Sequence, residues 1–158
     1  MQSNAEICAI AHRSFSERLN CSEKQHSGRL GLEQHCSQLI LTYSKSHQSD
    51  AESKIHCRFH LKARHARIGA IDVVEHYRRK GIGRQQVAAV EEISRHLEIS
   101  QVRVLPIPSS IGFWEKLGFL PHESAARILN KWICNEPIAI HGYRLQDNVC
   151  FGESLFRR

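Results

Sequence analysis

The stretch Ile68–Leu97 constrains the fold of this chain most, because it combines a buried strand, a cationic glycine-containing turn and an amphipathic helix. Its strand, Ile68–Val74, is apolar on both faces apart from Asp72, a pattern typical of a strand in the middle of a sheet covered on both sides. The helix that follows has apolar residues at helical spacing, namely Val87, Val90, Ile93 and Leu97. The sequence therefore predicts a strand–turn–helix unit around which the rest of the domain is organised.

The turn reads Arg78-Arg-Lys-Gly81-Ile-Gly83-Arg84 and leaves the first amides of the helix beside several cations. Those amides carry the positive end of the helix dipole, so a phosphate or a pyrophosphate is the expected occupant. Gly81 and Gly83 remove side chains where ligand oxygens must approach the backbone. A dinucleotide fingerprint would need a third glycine or an alanine at Gln86, and no P-loop pattern occurs. A glycine turn with solvated charges remains the alternative interpretation.

Length and composition predict a single α/β domain over residues 1–158 with an anionic partner, because Lys and Arg exceed Asp and Glu by 22 − 16 = 6. The six cysteines include no Cys-x-x-Cys pair, which predicts reduced thiols in a cytoplasmic protein. No apolar run is long enough to cross a bilayer, so no membrane association is expected. No metal site is expected either, since nothing supplies a second ligand pair beside the two His-Cys pairs. The oligomeric state stays open.

Residues 1–50 are predicted to be a helical N-terminal part. Ser3-Asn-Ala-Glu6 has the form of a capping box, and apolar residues follow it at helical spacing. A second helix is predicted from the stripe formed by Leu32, Cys36, Leu39, Ile40 and Tyr43. The polar, serine-rich segment from Ser44 to Ser53 is predicted to be a loop.

From Lys54 to Arg64 the period changes to two, with apolar residues alternating with Lys, His and Arg. This pattern predicts a strand with one buried face and one basic face. The basic face is interpreted either as a solvated outer face of the sheet or as a landing surface for an acidic or protein partner. A nucleic-acid partner is not expected, because the charged face of this strand carries no aromatic residue beside its charges.

Further elements are predicted downstream. Gln101–Leu105 is expected to be a short strand stopped by prolines, and a short helix through Phe113 and Leu117 is expected to end at Gly118. Pro137–Leu145 reads as one more strand. The segment from 120 to 136 fits no single pattern.

Two motifs resemble signatures of the GNAT N-acetyltransferases. Arg78-x-x-Gly81-x-Gly83 matches the Arg/Gln-x-x-Gly-x-Gly/Ala signature of that family, and Gly112-Phe-Trp-Glu-Lys-Leu-Gly-Phe119 is similar to the second signature about 30 residues downstream. The resemblance covers roughly residues 54–145, which we expect to form the core. It implies a GNAT-like mixed, mostly antiparallel sheet with a parallel splay at the coenzyme site and helices on both faces.

The resemblance also implies a binding site for acetyl-coenzyme A between the strands Ile68–Val74 and Gln101–Leu105. The backbone of Ile71 and Val73 would pair with the pantetheine arm as an added strand. The pyrophosphate would bind around Arg78, Arg79, Lys80, Gly81, Ile82, Gly83 and Arg84. The family reaction is direct attack of an amine on the thioester, with a base, an oxyanion-stabilising amide and an acid for the leaving thiolate.

Three positions depart from the family pattern. Trp114 stands where the family acid is usually a tyrosine, and an indole N–H is not a usable acid. Ile107 and Val102 stand where an asparagine and a carboxylate are frequent. The candidate base is Glu75, with Asp72 and His76 as alternatives.

The predicted function is therefore transfer of an acetyl group from acetyl-coenzyme A to an amine. A degenerate domain that binds the coenzyme and acts as an interaction module is one alternative, and a basic nucleic-acid-binding protein is another.

Overall fold

The computed structural model describes residues 4–19, 26–35, 38–47, 50–123 and 125–133. Its helices are α1 (Asn4–Arg18), α2 (Ile82–His96) and α3 (Ile111–Lys116). Its strands are β1 (His26–His35), β2 (Gln38–His47), β3 (Asp50–His60), β4 (His65–Val73), β5 (Gln101–Val104), β6 (Leu120–His122) and β7 (Ala125–Trp132).

The strands of the described ranges form one seven-stranded sheet in the order β1-β2-β3-β4-β5-β7-β6. Every neighbouring pair is antiparallel except β4 and β5, which run parallel. Parallel neighbours need a crossover, and α2 supplies it. The predicted class is confirmed: a mixed, mostly antiparallel sheet with one parallel pair and three helices.

The prediction of a helix through residues 32–43 is wrong, because residues 32–35 and 38–43 lie on the paired strands β1 and β2. Leu39, Leu41 and Tyr43 are fully buried while Ile40 and Thr42 between them are half-buried, which is the period of a strand. The loop predicted from Ser44 to Ser53 is wrong as well, since β2 and β3 pair through most of it. Only α1 of the predicted N-terminal helices is therefore observed in the described ranges.

Helices α1 and α2 pack against each other on one face of the sheet. Phe15 of α1 stacks on Tyr43 of β2 with ring centroids 4.3 Å apart, and both side chains are fully buried. The predicted apolar stripe on α2 is confirmed at Val87, Val90 and Ile93, all of which are buried. Burial of these side chains anchors α2, and with it the turn that precedes it, on the sheet.

β4 lies in the middle of the strand order, as its apolar sequence predicts. Its boundaries differ from the prediction, because the strand begins at His65, directly after a tight turn at residues 61–64, and not at Ile68. Ala66 and Ile68 are buried, whereas Arg67, Gly69 and Ala70 are exposed. The strand is therefore covered on one face in the described part of the chain, not on both.

Downstream of β5 the predicted helix is present as α3, and Gly118 ends it with a φ of 82°. The segment whose structure the sequence left open contains the antiparallel pair β6–β7. The predicted strand Pro137–Leu145 lies outside the described residues. No helix within the described ranges is long and apolar enough to cross a membrane.

The face of the sheet opposite α1 and α2 carries the basic residues of β3: Lys54, His56, Arg58 and His60. They alternate with the buried Ile55, Cys57 and Phe59, which confirms the predicted two-residue period. On this face Arg58, Arg67 and Arg103 lie in register on β3, β4 and β5. We call these three residues the arginine row.

Next to the arginine row the rings of His60 and His65 stack with centroids 4.4 Å apart. Burial, followed by the charges of Arg58, Arg67 and Arg103, lowers the pKa of His60 below its ordinary 6.5. Burial, followed by Arg103 and His60, lowers the pKa of His65 in the same direction. Both rings are therefore harder to protonate in the folded protein than in the unfolded chain.

We expect the free energy of unfolding to fall as the pH drops through 6.5, because there the unfolded chain binds protons that folded His60 and His65 resist. Replacing both by glutamine should flatten this pH dependence in urea titrations at neutral and mildly acidic pH. An equally steep slope in the double variant would contradict this assignment.

Candidate functional site

The candidate site begins where the two parallel strands part. β4 and β5 pair from His65 and Gln101 as far as Ile68 and Val104. β5 then ends, whereas β4 continues to Val73, paired with β3 on its other side. Residues 69–73 therefore present a strand edge with which no strand of the described ranges pairs. We call this segment the free edge.

A bulge in β4 marks the start of the free edge. Cys57 of β3 pairs with Ile68 and His56 pairs with Ala70, so Gly69 is an extra residue between them. A Cβ atom on Gly69 would lie 2.9 Å from Nδ1 of His56, closer than real contacts allow. A side chain at position 69 would therefore have to displace the imidazole of His56.

Backbone hydrogen bonds determine which residues of the free edge face outward. The amide of Val74 donates to the carbonyl of Glu52 on β3 at 3.0 Å. Because backbone groups alternate sides along a strand, those of Val73 and Ile71 point away from β3. The carbonyl of Val73 confirms this direction, since it accepts a hydrogen bond from Nε of Arg78 at 2.9 Å. Ile71 and Val73 therefore present their backbone groups at the free edge.

The turn after β4 delivers the chain to the first amides of α2. A single 3₁₀ turn spans Glu75–Tyr77, and then Arg79 and Gly81 adopt left-handed φ values of 63° and 81°. No side chain caps α2 at Gly81, and no acidic residue lies in its first turn. The amides at the start of α2 are thus available for an anion.

Four cations flank these amides, and all are exposed: Arg78, Arg79, Lys80 and Arg84. Arg78 also uses its Nε to brace the free edge, so its part in the site is structural as well as electrostatic. The ammonium group of Lys80 lies 5.0 Å from the centroid of the Tyr77 ring. The turn therefore concentrates positive charge at the N-terminal end of α2, where the helix dipole is also positive.

Apolar side chains line the space between the free edge and α3. Most of the large apolar residues exposed in the described ranges lie on the segments around this space: Val74, Leu105, Ile107, Ile111 and Phe113. A Cβ atom on Gly83 would lie 3.4 Å from Cζ of Phe113 and 3.8 Å from Cγ2 of Ile71. Exposed apolar residues gathered on neighbouring segments are typical of a ligand-binding surface.

Trp114 lies beside this lining but is turned into the core. It is 5% exposed, and its ring makes edge-to-face contacts with Phe113 and Phe119 at centroid distances of 5.0 and 5.1 Å. Its Nε1–H donates to Oγ of Ser110 at 3.3 Å, and that hydroxyl donates to the carbonyl of Ile107. Trp114 thus fixes α3 and the loop after β5.

The candidate bases lie at the end of β4. Asp72, Glu75 and His76 are all exposed, and the imidazole of His76 packs on the ring of Tyr77 at 4.0 Å. No ion pair joins Asp72 or Glu75 to another residue in the described ranges. The assignment of the base to Glu75 stays a prediction.

Sequence reasoning missed two contributions to the site. Phe113 lies in the second signature but was not expected to face the free edge, and its position beside Trp114 was the available signal. Gln86, fully buried on α2, donates its Nε2 to Oγ of Ser53 on β3 at 3.1 Å. This hydrogen bond joins α2 to β3, the strand paired with β4. In the sequence, the presence of a polar residue on the apolar face of the helix could have indicated it.

In this α/β domain the parallel pair β4–β5 parts beside the uncapped, cation-flanked start of α2, an arrangement that suits an anionic ligand with an extended arm. The sequence profile of the acetyltransferase (GNAT) family matches residues 42–119 of this chain. The match includes the first signature and the whole second signature, so the resemblance seen in the sequence is confirmed.

Solved structures share the fold at low sequence identity. The PaiA N-acetyltransferase from Thermoplasma acidophilum, solved in complex with coenzyme A, is 20% identical with a TM-score of 0.52 over 59% of this chain and 60% of that chain. Nourseothricin acetyltransferase is 10% identical with a TM-score of 0.55 over 70% of this chain and 100% of that chain. The ribosomal-protein-S18-alanine N-acetyltransferase from Escherichia coli is 13% identical, with a TM-score of 0.50 over 91% of this chain and 96% of that chain.

These identities establish the fold alone. The chain spans 60% of the length of the PaiA structure, so it corresponds to part of that protein. No curated protein sequence matches this chain at a significant level.

Proposed function

We propose that this chain is an N-acetyltransferase that transfers the acetyl group of acetyl-coenzyme A to an amine. One observation carries the proposal: the free edge of β4 leads directly to the uncapped, cation-flanked start of α2. A ligand that suits both parts needs a peptide-like arm and a phosphate group. Coenzyme A has both, and the coenzyme bound in the PaiA structure supports the assignment.

The residues predicted from the sequence divide between these two parts. Ile71 and Val73 would pair with the pantetheine arm, which the apolar lining around Phe113 would cover. The amides of Ile82, Gly83 and Arg84 would bind the pyrophosphate, together with the side chains of Arg79 and Lys80 and the left-handed turn at Gly81. Arg78 would hold the free edge in place.

Acetyl-coenzyme A supplies a thioester with a good leaving group. In the proposed reaction the C–N bond forms as the C–S bond breaks, and Glu75 accepts the proton of the amine. Trp114 would act as a wall of the site, because its N–H is already donated to Ser110 and is not an acid. The thiolate would then leave without protonation by a residue at that position.

The burial of Trp114 also favours a second candidate function, a module that binds the coenzyme without efficient transfer. We place either function in the cytoplasm, consistent with the predicted reduced thiols. We expect the amine acceptor to bind from the side of the free edge.

Thermal unfolding with and without acetyl-coenzyme A, followed by an assay of coenzyme release with basic peptides and polyamines, tests the proposal. A ligand at one hundred times its Kd should stabilise the fold by about 2.7 kcal/mol. Stabilisation with amine-dependent release supports the enzyme, and stabilisation without release supports the module. No stabilisation would contradict both.

A further inference from the structure

The arginine row is an electrostatic liability for the folded protein. Arg58, Arg67 and Arg103 lie directly opposite one another on neighbouring strands, which are about 4.8 Å apart. Like charges in such cross-strand positions destabilise a sheet. No carboxylate in the described ranges forms an ion pair with any of the three. Their aligned positive charges therefore favour the binding of an anion on this face.

Two observations indicate that the guanidinium groups of the row are ordered and that one of them lacks a hydrogen-bond partner. Nε of Arg103 donates to Oε1 of Gln101 at 2.6 Å, which fixes the direction of its guanidinium group. Nε of Arg58 is buried without a hydrogen-bond partner. A buried guanidinium N–H without an acceptor costs free energy that an incoming anion would recover.

An exposed aromatic residue completes this face. Trp132 of β7 is opposite Gln101 of β5, and Gln101 is opposite His65, so all three lie in the row adjacent to the arginines. Trp132 is on the same face, because Leu129 and Lys131 of β7 point to the other side, where Lys131 pairs with Glu91 of α2. Its side chain is 45% exposed.

We infer that this face binds single-stranded nucleic acid, with phosphates on the arginine row and a base stacked on Trp132. Arginine recognises phosphate oxygens with paired N–H donors, and an aromatic ring on an open sheet is a stacking platform for bases. The sequence alone argued against such a partner, since the charged face of β3 carries no aromatic residue. The sheet removes that objection by bringing Trp132 from a distant strand. This site is on the opposite face from α2 and does not depend on the proposed acetyl transfer.

Titration of a fluorescent oligouridylate at several salt concentrations tests this inference. For single strands each phosphate contact contributes about 0.7 to the slope of log affinity against log salt, so Arg67→Gln with Arg103→Gln should reduce the slope by about 1.4. Trp132→Ala should weaken binding about tenfold with little change in slope, because stacking does not release counterions. Melting curves would show that each variant is folded.

The matched control removes two exposed arginines elsewhere, Arg13→Gln with Arg127→Gln, and should leave the slope nearly unchanged. A poly-glutamate peptide of equal charge should bind much more weakly than the oligouridylate. Equal binding of the peptide, or an equal loss in the control variant, would overturn the inference. So would the absence of oligouridylate binding to the unmodified protein at low salt.

Discussion

Replacing Gly83 by tryptophan is expected to abolish the stabilisation by acetyl-coenzyme A, a loss of about 2.7 kcal/mol at a hundredfold excess over Kd. The Cβ position of Gly83 faces Phe113 at 3.4 Å and Ile71 at 3.8 Å, so an indole there must enter the space between α2 and the free edge. The measurement is the ligand-induced shift in thermal unfolding, compared with that of the unmodified protein.

Gly83→Ala provides the matched control. Its methyl group makes an ordinary contact with Phe113, and alanine favours a helix over glycine by roughly 0.5–1 kcal/mol. This variant should melt no lower than the unmodified protein and should still respond to acetyl-coenzyme A. A full ligand response in Gly83→Trp would show that the ligand does not bind between α2 and the free edge.

Replacing Trp114 by alanine is expected to lower the free energy of unfolding by about 3–5 kcal/mol, the usual cost of removing a large buried aromatic side chain. The side chain is 5% exposed and is packed between Phe113 and Phe119. The total free energy of unfolding of a domain is about 5–15 kcal/mol, so this variant should be close to unfolding. Urea denaturation measures the change.

The other tryptophan of the chain is the natural comparison. Trp132 is 45% exposed, so Trp132→Ala should lower the free energy of unfolding by clearly less than Trp114→Ala does. Trp114→Phe keeps the ring contacts and loses the hydrogen bond to Ser110, at a cost of about 1 kcal/mol. Equal losses in the two alanine variants would contradict the burial of Trp114.

The sequence was sufficient to predict the central unit because each of its parts is determined locally. From Ile68 onward β4 is apolar apart from Asp72, α2 has a clear apolar stripe, and Gly81 adopts the left-handed conformation expected of its turn. The bulge at Gly69 could not be predicted, because it depends on the approach of His56 from the neighbouring strand. Local patterns predict elements, whereas contacts between strands determine their irregularities.

The error in the N-terminal part has a physical cause. Leu32, Leu39, Ile40 and Tyr43 fit a helical stripe by spacing, yet Leu39, Leu41 and Tyr43 fit a strand equally well. Pairing with β3 decides between the two, since it buries the second set completely. A short apolar segment does not reveal its partner, so its period alone was ambiguous.

The arginine row illustrates the same limit on the functional side. Arg58, Arg67 and Arg103 are separated along the chain, and their alignment follows from the registers of two strand pairs, one antiparallel and one parallel. Trp132 joins them through a third pair. Registers are set by tertiary structure, so neither the charge row nor its aromatic neighbour could be predicted from spacing.

The free edge has unequal ends, and this asymmetry bears on acyl-chain length. At Ile68 it is closed, because β5 joins the sheet there, whereas at Val73 it opens towards the turn and α2. Under the proposed function, a coenzyme held by its pyrophosphate at α2 would extend its acyl end towards the closed end. The sheet would then act as the floor of a slot, so short acyl groups should fit and long ones should collide with the junction of β4 and β5.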